Sequence, residues 1–355
     1  MKTLLFVTAF PPNTKSGGPL FTLNVLKDLS KKYIIDLIYF TYQNLPIDES
    51  VHVKSITSYD VNNFNCFQKF TVFPIFTRRF NKNILKYLVN IAPVYDIVYF
   101  DYTQVGIYSL YINHPYKVLR CHDIMVQKFS RKNKIFLNWI KLTEKKILGS
   151  VHKIFVPSDK DADIVKKEYN LNAYFTHEYI KVFDFYDFIE TDKIFVFFGL
   201  WSRPDNSDGL IWFIKNVYPI IKPNLKIKYL VIGSGLSEKL KKKYILPYDN
   251  IEYSGFVDNP LDIIYKSRAL IAPLFSGAGV KIKVIDAFTT GTPVIGTNIA
   301  FEGLPYIENL VYNANKPLEY AEIINNFPSI SITNKKMKAN IFKDTYKNRN
   351  IMNYL

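Results

Sequence analysis

Between Pro273 and Phe288 a short apolar strand runs into a loop with two closely spaced glycines, Gly277 and Gly279, and the loop opens a helix carrying Lys281, Lys283 and Asp286. Glycine lets a backbone approach a ligand with no Cβ in the way. The first amides of a helix lack intrahelical partners and sit at the positive end of its dipole. Loop and helix start together make an anion site suited to a diphosphate. Lys283 adds a full positive charge. Asp286, three residues on, shares its helix face, where a carboxylate can accept two hydrogen bonds from ribose hydroxyls. An ordinary capped helix with a surface Lys/Asp pair has the same spacing, and periodicity alone does not separate the two readings.

Gly291 can close that helix in a left-handed cap, and Pro293 blocks its continuation. The next strand ends near Gly296, and Phe301-Glu302-Gly303-Leu304 forms a loop at its carboxyl edge, the edge at which open α/β sheets bind ligands. In the first half, His122 follows a short apolar strand; taken alone, such a histidine is more commonly partly buried and without chemistry. Other patterns carry less. Asp161-Ala162-Asp163 lies in an expected helix, where residues two apart do not share a face. There is no H-E-x-x-H, no Cys/His cluster and no G-x-S-x-G elbow, so no metal site is expected. Gly233-Ser234-Gly235 is an incomplete dinucleotide fingerprint, because its third glycine falls at Glu238.

The elements that must position these residues alternate along the chain. Strands are expected at Leu4–Thr8, Ile34–Phe40, Asp96–Phe100, Lys117–Cys121 and Lys153–Val156, with helices at Leu20–Leu29, Phe129–Leu148 and Asp159–Glu168, the last capped by Ser158. Residues 45–78 fit no element. A second set has strands at Ile194–Phe198, Lys228–Ile232, Ile251–Ser254, Ala269–Ala272 and Pro293–Gly296, with helices at Leu210–Asn216 and Lys281–Phe288. Such alternation implies βαβ units and mainly parallel sheets. The predicted domains are 1–178 and 190–335, with a linker near 176–192. The basic terminal segment, 335–355, either packs back across both domains, with a helix over 336–355 completing the first, or frays.

The length of 355 residues, with 48% hydrophobic and 22% charged, is an ordinary globular balance. Cys66 and Cys121 read as packing residues. The apolar start, Met1–Val7, reads as a first strand and not a signal peptide, and no run reaches the ~18–20 apolar residues of a membrane span. A cytoplasmic protein is therefore expected, peripheral at the inner face of a membrane if it meets one. The net charge of +15 favours anionic partners. Basic and aromatic residues interleave from Lys128 to Phe136, through Trp139 and Lys141, and at Arg78-Arg79-Phe80. This pattern suits an anionic membrane surface, and a solvated helix face equally. A nucleic-acid partner is not expected.

The run from Gly277 to Leu304 resembles the retaining group 1 glycosyltransferases of family 4, whose motif has the form G-x-G-x-[KR]-[IL]-K-x-x-[ED]-A-x-x-x-G-x-P-V and then E-G-[LI]. Phe198–Asn206, Asn206–Pro219, Val231–Gly235 and Ile251–Val257 resemble further segments of the same family, in the same order. Phe10-Pro11-Pro12 with Gly17-Gly18, and Arg120-Cys121-His122-Asp123, are similar to its N-terminal motifs. The resemblance implies the GT-B fold: two facing Rossmann-like domains with parallel sheets and a cleft between them. It implies transfer of a sugar from a nucleotide-diphosphate sugar, a co-substrate and not a cofactor, to a glycan or lipid-linked acceptor, in surface polysaccharide or glycoconjugate synthesis. It also implies retention without a metal. By role, Gly277, Gly279, Lys281 and Arg203 would hold the diphosphate with Gly17 and Gly18, and Asp286 the ribose. Lys283, His122 and Glu302 would serve catalysis. One departure stands out: Ala278 occupies the place of the family's first glutamate, and Asp286 that of its second. It keeps open a catalytically silent scaffold and, on the same fold, a nucleotide-sugar epimerase.

Overall fold

A computed structural model describes residues 1–13, 17–42, 47–64, 74–131, 136–176, 181–188, 193–346 and 351–355. The chain divides into two compact units, Met1–Tyr179 with Asn348–Leu355, and Ile180–Lys347.

In the first unit the strands are β1 (Lys2–Thr8), β2 (Tyr33–Thr41), β3 (Ser55–Asp60), β4 (Ile97–Asp101), β5 (Lys117–Arg120), β6 (Lys153–Val156) and β7 (Tyr174–Phe175). The helices are α1 (Gly17–Leu29), α2 (Pro74–Thr77), α3 (Lys82–Ile91), α4 (Thr103–Gly106), α5 (Met125–Ser130), α6 (Leu137–Gly149) and α7 (Asp159–Tyr169). Among the described residues the sheet runs β3-β2-β1-β4-β5-β6-β7, and each described pairing is parallel. Strand order reverses between β1 and β4, which opens a crevice at their carboxyl ends.

The continuous apolar runs follow from burial on both faces. Successive side chains alternate, so Leu5 and Val7 join Phe40, Val98 and Leu119 in one core, whereas Leu4 and Phe6 join Leu37, Tyr99 and Val118 on the other face. Ile351 completes that second face, packed with Leu26 and Leu29 of α1.

The second unit has β8 (Lys193–Phe198), β9 (Ile227–Ile232), β10 (Ile251–Gly255), β11 (Ala269–Ala272), β12 (Val294–Gly296) and β13 (Val311–Asn313). Its helices are α8 (Pro204–Asn216), α9 (Glu238–Tyr244), α10 (Pro260–Lys266), α11 (Ile282–Thr289), α12 (Pro317–Asn325) and α13 (Ile332–Thr345). The parallel order is β10-β9-β8-β11-β12-β13, with its switch point between β8 and β11.

Three expectations need correction. The helix over Phe129–Leu148 is two helices, because α5 ends at Ser130 and α6 begins at Leu137. The unplaced stretch 45–78 holds β3 and α2; β3 is a polar, half-exposed edge strand held by its register on β2 and not by its own hydrophobicity. The terminal segment is divided between the two units, as one of the two readings has it, but it is not one helix over 336–355. Here α13 ends at Thr345 within the second unit, where Phe342 packs edge-on against Phe288 of α11 at 5.4 Å. Lys335, 2% exposed, anchors its start by donating to the carbonyls of Tyr265 and Ser267. Segment 181–188 also lies on the second unit, with Phe183, Phe185, Tyr186 and Phe188 packed around Tyr265 of α10.

Candidate functional site

In the second unit, the ends of β8, β9 and β11 are drawn together by glycines that no other residue can replace without strain. A Cβ on Gly233, whose φ is +108°, would stand 2.0 Å from the Gly199 carbonyl oxygen, and one on Gly209 would stand 2.1 Å from that of Pro273. The first contact seats the end of β9 against the β8–α8 loop, and the second seats α8 against the loop that follows β11.

Gly277 and Gly279 have φ of +107° and +68°, a backbone region that side chains rarely adopt. Lys281 is the N-cap residue of α11, and its ammonium donates to the carbonyls of Ala278 and Gly279 at 3.2 and 2.6 Å. It holds the glycine loop in shape and satisfies two oxygens that would otherwise repel an anion. Lys283, in the first turn of α11, donates to Asn206 Oδ1 of α8 at 2.7 Å. Burial, then the charges of Arg203 and Lys281, pull its ammonium down to about 7, against an opposing effect of Asp205. Arg203 is 3.8 Å from Asp205, whose other oxygen accepts from Ser276 of the glycine loop. Arg203, Gly277, Gly279, Lys281 and Lys283 thus meet at one sheet edge, with a helix start between them. A cluster of cations around a helix start is the arrangement that anion binding requires.

Asp286 is placed differently from the expectation. Its carboxylate, 3% exposed, pairs with Lys181 at 3.2 Å. Burial raises its pKa, and the Lys181 charge opposes this only in part. Glu302 lies on the turn after β12, partly buried and next to Gly303, whose φ is +76°.

In the first unit the carboxyl ends of β1, β4 and β5 converge on Asp101. This carboxylate is fully buried and accepts from Thr8, Thr22, Arg120 and His122. Burial pushes its pKa up, but His122, Arg120 and Thr22 together outweigh burial and hold it below the usual carboxylate range. His122 Nε2 lies 3.1 Å from Asp101 Oδ1, and the imidazole stacks flat on Tyr102, with ring centroids 3.6 Å apart. Tyr102 has φ of +79°, a strained value for an aromatic residue, and its hydroxyl stands where a Cβ on Gly18 would be, at 2.4 Å. Gly17 and Gly18 open α1 beside it.

Sequence reading missed Asp101 and Tyr102. The signal was present, an Asp-Tyr pair directly after an apolar strand, but it looks like any polar strand end until the β1–β4 switch point is known. It also missed Lys181. Cys121 is buried, and burial pushes its thiol up. Cys66 and Lys132–Ile135 lie outside the described residues. Asp161 is buried and accepts from its N-cap partner Ser158, so its role is helix capping.

Two doubly wound parallel sheets, of seven and six strands among the described residues, are the architecture of GT-B glycosyltransferase structures. Residues 192–327 match the model of the family Glycosyl transferases group 1. An uncharacterized 44.6 kDa protein in the cps region of Klebsiella pneumoniae is 31% identical over 237 residues, 61% of this chain and 60% of that protein. The chain therefore spans about three fifths of that relative's length. Among solved structures, Anabaena HepE in complex with UDP and glucose aligns with a TM-score of 0.66 at 12% identity, over 98% of this chain and 96% of that one. The lipopolysaccharide outer core galactosyltransferase WaaB aligns with a TM-score of 0.67 at 14% identity, over 99% and 100%. TarM aligns with 0.67 at 12%, over 100% and 96%.

Proposed function

We propose that the protein is a glycosyltransferase that moves a sugar from a nucleotide-diphosphate sugar to a glycan or lipid-linked acceptor, with retention, in surface polysaccharide synthesis. The observation that carries this reading is the meeting of Arg203, Lys281 and Lys283 around the Gly277–Gly279 turn at the start of α11. The family match over this unit and the cps-region relative support it. Uridine diphosphate is the first donor nucleotide to test, because HepE and TarM were crystallised with UDP.

In this mechanism the acceptor hydroxyl attacks the anomeric carbon from the face the diphosphate leaves. A C–O bond forms as the bond to the phosphate oxygen breaks, and the acceptor proton passes to the leaving phosphate. Lys283 and the first amides of α11 offset the charge that grows on that phosphate, an electrostatic contribution of about 3–4 kcal/mol for one well-placed donor. Arg203 assists. Asp286 takes the ribose hydroxyls by exchanging Lys181 for them. Glu302 serves the donor sugar. His122, oriented by Asp101, positions the acceptor or the transferred sugar.

An anionic membrane surface is a further partner in this reading. Phe136, Trp139 and Leu142 are exposed near the start of α6, followed by exposed Lys145 and Lys146, a pattern suited to a headgroup layer. Liposome flotation with no dependence on anionic lipid would remove that partner.

The test of the donor site is a thermal-shift screen of UDP-, GDP-, ADP- and TDP-sugars on the wild type and Lys283→Ala. A ligand at 100 times its Kd adds about 2.7 kcal/mol of apparent stability. Stabilisation of the wild type alone by one nucleotide class supports the site; no response at millimolar concentration sinks it and favours a silent scaffold. Nucleotide release that requires an acceptor separates a transferase from an epimerase.

A further inference from the structure

The segment that carries His122 is pinned at both ends. At one end the Cys121 amide donates to the Phe155 carbonyl at 2.8 Å and extends the β5–β6 pairing. At the other end α5 begins at Met125, and its N-cap residue, Ile124, has no side-chain acceptor to offer. The acceptor comes from α6. Glu144, fully buried, takes the Met125 amide on Oε1 at 2.7 Å and the Val126 amide on Oε2 at 2.9 Å. The Tyr169 hydroxyl of α7 donates to Oε2 at 2.6 Å. A buried carboxylate is costly, and a neutral residue would fill the space more cheaply. This one does what an N-cap does, from another helix.

We propose that Glu144 is a positioning residue for His122: by capping α5 it fixes the far end of the short stretch His122–Ile124 and so holds the imidazole on Tyr102 and Asp101. The inference uses the reading that His122 serves the reaction, but its test needs no substrate.

Burial lifts the Glu144 carboxyl to about 7, opposed by the hydrogen bonds of Tyr169, Met125 and Val126 and aided by the nearby charge of Asp123. Cys121 faces it from the loop, Tyr169 faces it from α7, and Lys128 of α5 pairs with Asp123 at 2.6 Å. A protonated carboxyl turns one acceptor into a donor. The O–H then satisfies Tyr169, and the Val126 amide keeps a weaker partner. The raised pKa means that protonation does not lower global stability, since the folded state binds this proton more tightly than the unfolded chain. What loosens is the cap alone.

The experiment is amide hydrogen exchange on the full chain, corrected for intrinsic rates, with 15N spectra of the His122 ring, from pH 5.5 to 8.5. In the wild type the Met125 and Val126 amides should lose protection about tenfold as pH falls through 7, and the Nε2 signal of His122 should broaden over the same range. Glu144→Gln, which keeps one carbonyl oxygen and turns an NH2 donor toward the other N–H group, should show the low protection at every pH. Tyr169→Phe leaves the cap but removes a donor that favours the charged form, so the transition should move to higher pH. Equal protection in Glu144→Gln, or an unmoved transition in Tyr169→Phe, overturns the assignment. His122 signals that are the same in the wild type and Glu144→Gln at every pH overturn it too, because the cap then positions nothing. If no nucleotide sugar binds the protein, the proposed function fails while this result stands.

Discussion

The ammonium of Lys283 lies 2.7 Å from the side-chain oxygen of Asn206, and through this one hydrogen bond the first turn of α11 is joined to α8 across the switch point of the second sheet. Asn206 is neutral, so the bond places the cation without neutralising it. Burial and the neighbouring Arg203 and Lys281 then make its charge expensive until an anion arrives.

A proton should therefore be taken up when a nucleotide-diphosphate sugar binds. Lys283 titrates at about 7 in the ligand-free protein, and a bound diphosphate favours its charged form. At pH 6 the proton is already present and uptake is near zero; at pH 8 it approaches one per site. Above pH 7 the Kd should rise about tenfold per pH unit, until the pKa of the bound state is reached. Calorimetry of UDP-glucose binding in buffers of different ionisation enthalpy measures this directly, and Lys283→Ala should abolish the linkage.

Two glycine substitutions should separate strain from contact. Gly277→Ala meets nothing nearer than 3.7 Å, so only the left-handed backbone opposes it, at about 1–2 kcal/mol. Gly233→Ala has the same handicap and a Cβ 2.0 Å from the Gly199 oxygen, for a loss of about 3 kcal/mol or more. Thermal unfolding should rank them in that order. Gly277→Ala should keep a folded second unit with a weakened nucleotide response.

Asp101→Asn should be among the most damaging changes in the first unit. The carboxylate balances Arg120, 2% exposed, and His122; removing one side of a buried pair costs about 3–5 kcal/mol. The pH dependence has a definite sign. Because the folded pKa lies below the unfolded one, the stabilisation is present above the ordinary carboxylate pKa and is lost as pH falls through the folded value. Urea unfolding from pH 7 down to about pH 2 should show a steeper acid-dependent loss in the wild type than in Asp101→Asn.

Lys335→Met should free the start of α13. The side chain is almost the same length, but the carbonyls of Tyr265 and Ser267 and the hydroxyl of Thr292 lose a donor. The expected cost is about 1–3 kcal/mol, read as a lower midpoint in urea and as faster amide exchange across Ile332–Thr345.

The sequence by itself determined the strand and helix alternation, the doubly wound class and the glycine loop that opens α11. Each rests on short-range information: apolar runs buried on both faces, the two glycines that allow positive φ, and cations fixed at a helix start. Edge strand β3 and the split between α5 and α6 escaped it, because their pattern is weak without the neighbours that hold them. The tertiary structure decided which polar groups face one another. Asp101, Arg120 and His122 are brought to one point only by the order β1-β4-β5, and Glu144 reaches the amides of α5 only because α6 packs across it. Lys181 meets Asp286 across 105 residues, a pairing for which local spacing carries no signal. Hydrogen bonds and charges act over a few ångströms in space, so the partners of a buried polar group are fixed by packing and not by position along the chain.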